Sequence, residues 1–401
     1  MALLPQAPAK PPHILTLVIA TATGSLSMNI FLPSLPGMAA YFQTDYALVQ
    51  LAVSLYLAAT ALLQLFIGPA SDRFGRRPVM LVCFVIFILS TFAAIFTTDI
   101  ILFLICRVLQ AFSAAGMVLS RAIIRDTVDA DSAASRIGYV TMGMTLVPMI
   151  GPFIGGFLDE FYGWQATFYL ALAFGIFSIV VVYLNLGETN HQPTSSMLAQ
   201  LKSYPELFRA RRFWGYTATA AFASGAFFAF LGGGPYVATQ ILHLTPSQYG
   251  TYFILISIGY MIGNFSSGRF SRQIGLNRMM LAGNVIASSG LLLSLFLFSM
   301  GCMHPLSLFG PSLLLGMGNG MTLPNANAGI VSVRPHLAGS ASGLGGALQI
   351  GGGAALSVLA GLMLTPVSGP YPLIWIMLTA SALGIVASLY VMHVARQRGE
   401  I

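Results

Sequence analysis

The sequence predicts an all-helical membrane protein of twelve transmembrane helices, arranged as two pseudo-symmetric bundles of six. Three observations predict it. Of 401 residues 56% are hydrophobic and 7% charged, with a mean hydropathy of +0.82, whereas soluble domains carry roughly 25% charged residues. Apolar stretches with few or no acids or bases recur at about 14–36, 48–71, 78–97, 100–122, 136–158, 165–186, 213–235, 248–268, 279–299, 305–328, 338–364 and 372–394, each long enough for a hydrocarbon core of roughly 30 Å. The connections between them alternate in charge.

Of the 18 Lys and Arg residues, 16 fall on alternate, same-side segments: Lys10, Arg73, Arg76, Arg77, Arg125, Arg136, Lys202, Arg209, Arg211, Arg212, Arg269, Arg272, Arg278, Arg334, Arg396 and Arg398. Arg107 and Arg121 lie within spans, and the opposite connections carry Asp45, Asp99, Asp159 and Glu160 instead. Short cytoplasmic loops hold the Lys and Arg excess, so both termini are expected in the cytoplasm. This placement accounts for the net charge of +7 without a nucleic-acid partner. Lys10 precedes an apolar stretch too long for a cleavable signal, and no cleavage site is evident. Cys83, Cys106 and Cys302 sit in or beside spans and read as small apolar residues.

Span 1 ends in Asn29-Ile30-Phe31-Leu32-Pro33-Ser34-Leu35-Pro36. Span 2 leads into Gly68-Pro69-Ala70-Ser71-Asp72-Arg73-Phe74-Gly75-Arg76-Arg77-Pro78, a charged turn that cannot lie in hydrocarbon. Span 4 contains Arg107, eight residues after Asp99 and so about 12 Å inside the boundary. A guanidinium at that depth needs a wet cavity or a partner, which makes a functional role the default. Arg121 and Arg125-Asp126, at the far end of the span, suit surface anchoring. Span 5 carries Gly143, Pro148, Gly151, Pro152, Gly155 and Gly156. Small residues four apart let another helix approach, and prolines bend the span.

The longest polar interruption, 187–212, follows span 6 and divides the chain into 1–186 and 213–401. Within it, 196–212 forms either an extended linker or a surface helix with Leu198, Leu201, Leu207 and Phe208 toward lipid. The halves repeat weakly: Ser71–Arg76 matches Ser267–Arg272, keeping the arginines and the phenylalanine, and glycine-rich span 11 answers span 5. Such halves build alternating-access transporters with a midplane substrate site.

The 68–78 turn resembles the first signature of the major facilitator superfamily. Span 5 resembles the motif of its antiporter branch, and Leu104 to Gly116 the companion motif built on an intramembrane arginine. The match is nearer still to the Bcr/CflA-type multidrug resistance transporters. The resemblance implies the superfamily's twelve-helix fold and efflux of small, largely hydrophobic drugs or metabolites across a bacterial inner membrane. It assigns gating to Asp72, Arg73, Gly75, Arg76, Arg77, Gly151, Pro152, Gly155 and Gly156, with Asp72 pairing across the inner gate and the arginines as its partners or as contacts to membrane lipids. In that branch a carboxylate stands near the arginine, where this chain has Asn29, expected at the level of Arg107. None of the eleven acids falls inside a span. Proton antiport is therefore carried elsewhere, transport is uncoupled, or Asn29 is a neutral replacement of an aspartate.

Further candidates for substrate binding or coupling are Tyr56, Gln110, Phe227, Tyr236, Tyr252, Tyr260, Asn319 and Gln349, because drug pockets combine aromatic walls with a few placed polar groups. Gln64 is a possible lining residue, and Met142 and Met144 could supply adaptable surface. No nucleophile and base, metal cluster or phosphate loop occurs at workable spacing, so neither an enzyme nor a cofactor or metal is expected. A monomer is expected, with a passive channel or an exporter of a small metabolite as alternatives.

Overall fold

The computed structural model describes residues 12–127, 140, 147–148, 150–190, 205–334, 337–365 and 367–397. Among these, all regular structure is helical. The first expected span is α1 (Ile14–Asn29), a 3₁₀ turn (Leu32–Ser34) and α2 (Leu35–Tyr41), broken where Pro33 and Pro36 start new turns. Next come α3 (Tyr46–Phe74) and α4 (Arg76–Phe96). The fourth span is α5 (Ile100–Gln110) and α6 (Ala115–Thr127), joined by a 3₁₀ turn at Ala111–Ala114.

The end of the fifth span is described in α7, which runs over 150–162 and so past the span's expected end at 158; it is followed by α8 (Gln165–Asn185) and one helical turn, α9, at 205–208. The second half comprises α10 (Arg211–Tyr236), α11 (Pro246–Ile274), α12 (Leu276–Ser299), α13 (Pro305–Ser332), α14 (Ala338–Met363) and α15 (Tyr371–Gln397). Among the described residues nine of these units are long and apolar enough to cross a membrane. At 29 and 28 residues, α11 and α13 are also long enough, although glycine, serine and asparagine dilute their hydropathy. Gly143, Met142, Met144, Leu198 and Leu201 lie outside the described residues. Leu207 is buried against Phe213 and Tyr216, not turned to lipid, while Phe208 is exposed beside Trp214.

Backbone proximity holds the bundles together. Main-chain carbonyls pass where a Cβ would sit on Gly259, Gly263, Gly316 and Gly320, which fixes α11 against α13. Gly116 takes the carbonyl of Ala20 and Gly155 that of Ile30, bringing α6 and α7 against the first span. Such close approach replaces the hydrophobic drive that lipid does not supply.

The internal repeat differs from the sequence match by one helical turn. Gly75 (φ +97°) separates α3 from α4 and Gly275 (φ +88°) separates α11 from α12. Their N–H groups donate to Ser71 and Ser271 respectively. The structural equivalent of Ser71–Gly75 is therefore Ser271–Gly275, and Arg269 and Phe270 stand one turn earlier. The constraint is the positive φ, which glycine adopts without strain, and a shift of four residues keeps the same helix face.

A Cβ at Gly75 would also meet the Glu188 carboxylate, whereas one at Gly275 meets nothing within 4 Å. Gly275→Ala is expected to cost about 1–2 kcal/mol of backbone strain, and Gly75→Ala clearly more. Thermal unfolding in detergent checks this; equal losses would contradict it.

Candidate functional site

Arg107 is 1% exposed and joins four segments of the first bundle. Its Nε donates to the carbonyl of Ala52 (3.1 Å) on α3 and its Nη1 to the carbonyl of Ser27 (3.4 Å) on α1. Gln110 Oε1 accepts a short bond from Nη1. The guanidinium lies 4.2 Å from the ring centre of Phe31, 4.7 Å from Tyr56 and 5.9 Å from Phe168. Its Nη2 and Gln110 Nε2 have no partner among the described residues. The Tyr56 hydroxyl reaches the carbonyl of Gly24 and the Ser113 hydroxyl, both at 3.0 Å.

Asn29 is not beside Arg107. At about 100° per residue, Ser27 and Phe31 share the face toward Arg107, and Asn29 falls on the opposite side. There it backs onto Gly151 of α7, whose added Cβ would lie 3.5 Å from Asn29 Cβ. Its Nδ2 donates to the carbonyl of Ser25 (2.8 Å), and its Oδ1 has no partner among the described residues.

The bundles meet along a seam on the face that carries Asp45 and Glu160. Gln50 of α3, fully buried, enters the second half and donates through Nε2 to the carbonyl (2.8 Å) and hydroxyl (2.7 Å) of Ser357 on α14, and to Ser54 (2.8 Å). Its hole exists because Gly232 and Gly361 lack side chains; a Cβ on Gly361 would lie 2.6 Å from Gln50 Oε1, and one on Gly232 would clash with Nε2. One turn earlier the Tyr46 hydroxyl donates to the carbonyl of Gly232 (2.6 Å).

The second part of the seam joins α7 to α11. Gly156 packs on the carbonyl of Pro246, Gly250 on that of Pro152, and Glu160 Oε2 accepts from the Ser247 N–H (3.1 Å). Hydrogen bonds from Ser247 and Thr245 hold Glu160 below the usual carboxylate range. Asp159, just beyond the expected span, is raised to about 6 by burial, with Ser34 opposing and Glu160 adding to the shift. Gly151, Pro152, Gly155 and Gly156 therefore sit at helix crossings on this face.

The 68–78 turn makes its contacts within the first half among the described residues. Asp72 pairs with Arg76 one turn on, not across the halves, and Arg76 Nε also donates to Asp126 (2.9 Å). Glu188 accepts from the N–H groups of Arg76 (2.9 Å) and Arg77 (3.2 Å), and Asn190 Nδ2 donates to the carbonyl of Asp72 (2.7 Å). Arg77 reaches the carbonyl of Tyr183 (2.9 Å) and its ring, and Arg73 lies over Phe74. The start of the 187–212 connection is thus held on the turn, and no described bond joins the turn to the second half.

The remaining candidates are dispersed in the second half. Gln349 donates to Ser224 (2.7 Å), Tyr252 stacks on Phe309, and Tyr236 packs against Tyr46 at the seam (4.8 Å between ring centres). Phe227 leans on Phe228. The Tyr260 carbonyl accepts from Asn264, and Asn319 is buried with no partner for Nδ2 among the described residues. Sequence reasoning did not single out Gln50, Tyr46, Gly232, Ser357 and Gly361. A glutamine four residues before Ser54 at the end of an apolar span was the available signal.

Two six-helix bundles related by a repeat, with a polar seam on one face, define a membrane transporter of the two-bundle class. The chain belongs to the Major Facilitator Superfamily, whose sequence model matches residues 17–349 and 234–400. An uncharacterised MFS-type transporter of Bacillus subtilis is 30% identical, covering 84% of this chain and 86% of its own. A bicyclomycin resistance protein homologue of Haemophilus influenzae is 27% identical over 89% and 90%, and multidrug resistance protein D of Escherichia coli 28% over 87% and 88%. In fold it resembles a bacterial homologue of the lysosomal transporter Spinster (TM-score 0.72, 16% identity, 96% of each chain) and a D-xylose–proton symporter (TM-score 0.76, 13% identity, 94% and 96%). The chain is a multi-pass membrane transporter and not an enzyme.

Filling the Gln50 hole separates a latch from plain packing. Gly361→Ala is expected to cut transport about tenfold, and adding Gln50→Ala to restore most of it, because contacting pairs couple by that order of energy. Loss without rescue in the double variant would contradict the latch. Asp159→Asn is expected to raise thermal stability at pH 7.5, where the buried carboxylate is ionised. The gain should shrink as pH falls from 6 toward 4 and the wild-type group becomes protonated. A pH-independent difference would refute that origin.

Proposed function

We propose that this chain exports small, largely hydrophobic compounds from a bacterial cytoplasm across the inner membrane, as a monomer with both termini inside. Residues 1–186 and 213–401 act as two rocking bundles joined by 187–212, and the seam at Gln50 is the outer gate. The observation that carries the reading is that gate. A buried amide held by hydrogen bonds in a glycine hole closes the halves on one face, while the arginine-bearing turn on the other face is bonded, among the described residues, only within the first half. A polar contact of this kind can be exchanged for water at modest net cost, as a cycling gate requires. The substrate class is supported by relatives named for bicyclomycin and multidrug resistance along nearly the whole chain. Arg73, exposed on the turn, and Arg77, half-buried beside it, contact anionic lipid headgroups on the inner face in this reading, whereas Arg76 is buried against Asp72 and Asp126.

Proton antiport supplies the drive in this reading, with Arg107 and the seam residues as the coupled elements. One observation favours the uncoupled alternative: no acid lies within any expected span. Drug accumulation in expressing cells, with and without a protonophore, decides between them. Lower accumulation that the protonophore abolishes is expected. Export that survives the protonophore would contradict antiport, and accumulation equal to that of control cells would overturn export.

A further inference from the structure

The seam carries a cavity that the gate itself does not use. It lies on the acidic face with a volume of about 680 Å³, within the range of roughly 300–1,000 Å³ typical of small-molecule sites. Its walls come from both bundles: α2 and the 42–45 connection on one side, and the end of α10 with the π-helical turn Val237–Ile241 on the other. Tyr46, which lines it, is the residue bonded to Gly232, so the cavity adjoins the closed gate.

Its chemistry is one-sided. Asp45 occupies the N-cap of α3, where an aspartate ordinarily accepts from first-turn N–H groups, yet its side chain makes no capping bond. It pairs with no cation among the described residues and is exposed, so its carboxylate is left to the cavity. Tyr46 and Tyr236, with ring centres 4.8 Å apart, supply aromatic surface that attracts cations. Gln43 and Gln240 add amide donors and acceptors. No Lys or Arg occurs in 42–45, 97–99, 163–164, 242–245, 300–304 or 364–370, whose basic residues are the histidines His243 and His304, so no permanent positive charge of these connections competes for Asp45 and the local field is negative.

We propose that this cavity binds organic cations: an ammonium or other permanent positive charge on an aromatic body, with the charge at Asp45 and the body against Tyr46 and Tyr236. Its use as a release site rests on the export reading; the binding does not. Neutral compounds gain nothing from Asp45, and anions are repelled.

Tetraphenylphosphonium and tetraphenylborate, nearly the same shape with opposite charge, test this. Cys83 and Cys106 are buried and Cys302 is exposed, so a Cys302→Ser, Gln240→Cys chain in proteoliposomes reports cavity occupancy through outside labelling by a membrane-impermeant maleimide. The cation is expected to slow labelling saturably and the borate to leave it unchanged. Adding Asp45→Asn is expected to weaken the cation's protection about fivefold, the scale of one exposed ion pair. Equal protection by both ions, protection that survives Asp45→Asn, or none from the cation overturns the proposal. Drug export by the same variants is measured separately: protection without export sinks only the export reading, and export without protection sinks only this site.

Discussion

The proposed outer gate depends on one steric condition: Gln50 can enter the second bundle only because Gly232 and Gly361 leave a hole for it. An amide without partners costs several kcal/mol to bury, so Gln50 stays there only while Ser357 and Ser54 receive its Nε2, its Oε1 having no partner among the described residues. The surrounding contacts follow the same rule. Tyr46 finds a carbonyl across the seam, Gly156 and Gly250 admit main chain from the opposite half, and Glu160 accepts from the first turn of α11. Close backbone approach gives the seam its fit, and a handful of polar bonds give it a way to release.

Arg107 serves the first bundle in another way. A buried guanidinium with no carboxylate must offset an effective desolvation cost of several kcal/mol. Three aromatic rings, at about 0.5–2 kcal/mol each, and charge-assisted bonds to two carbonyls and an amide are of that order. The result is a hub linking α1, α3, α5 and α8. The 68–78 turn, fastened to Asp126, Glu188 and Asn190, fixes the other face of the same bundle.

Much of this was legible in the sequence, because a bilayer allows few solutions. Span lengths follow directly from hydrocarbon thickness, and Arg107, inside an apolar span, had to find partners, as it does. The position of Asn29 was misjudged by matching depth without helical phase; two residues from Ser27 is the far side of a helix. The repeat was placed one turn out because side-chain identity outweighed the positive-φ glycine that sets the turn. The hole for Gln50 could not be read at all, since a glycine's emptiness has meaning only once the opposite helix is in place. Glu188 and Asn190 lie in the polar 187–212 interruption, and only the fold brings them onto the turn.

The central claim is that the acidic-face seam opens and closes during transport. Tyr162 and Thr251 are exposed on either side of the Glu160–Ser247 contact and accept spin labels as Tyr162→Cys and Thr251→Cys in a Cys302→Ser chain. Pulsed electron resonance in liposomes should give two distances, the shorter matching the seam described above, with populations that shift when a transported compound is added. A single short distance, unchanged by substrate in a preparation that demonstrably transports, would contradict the account.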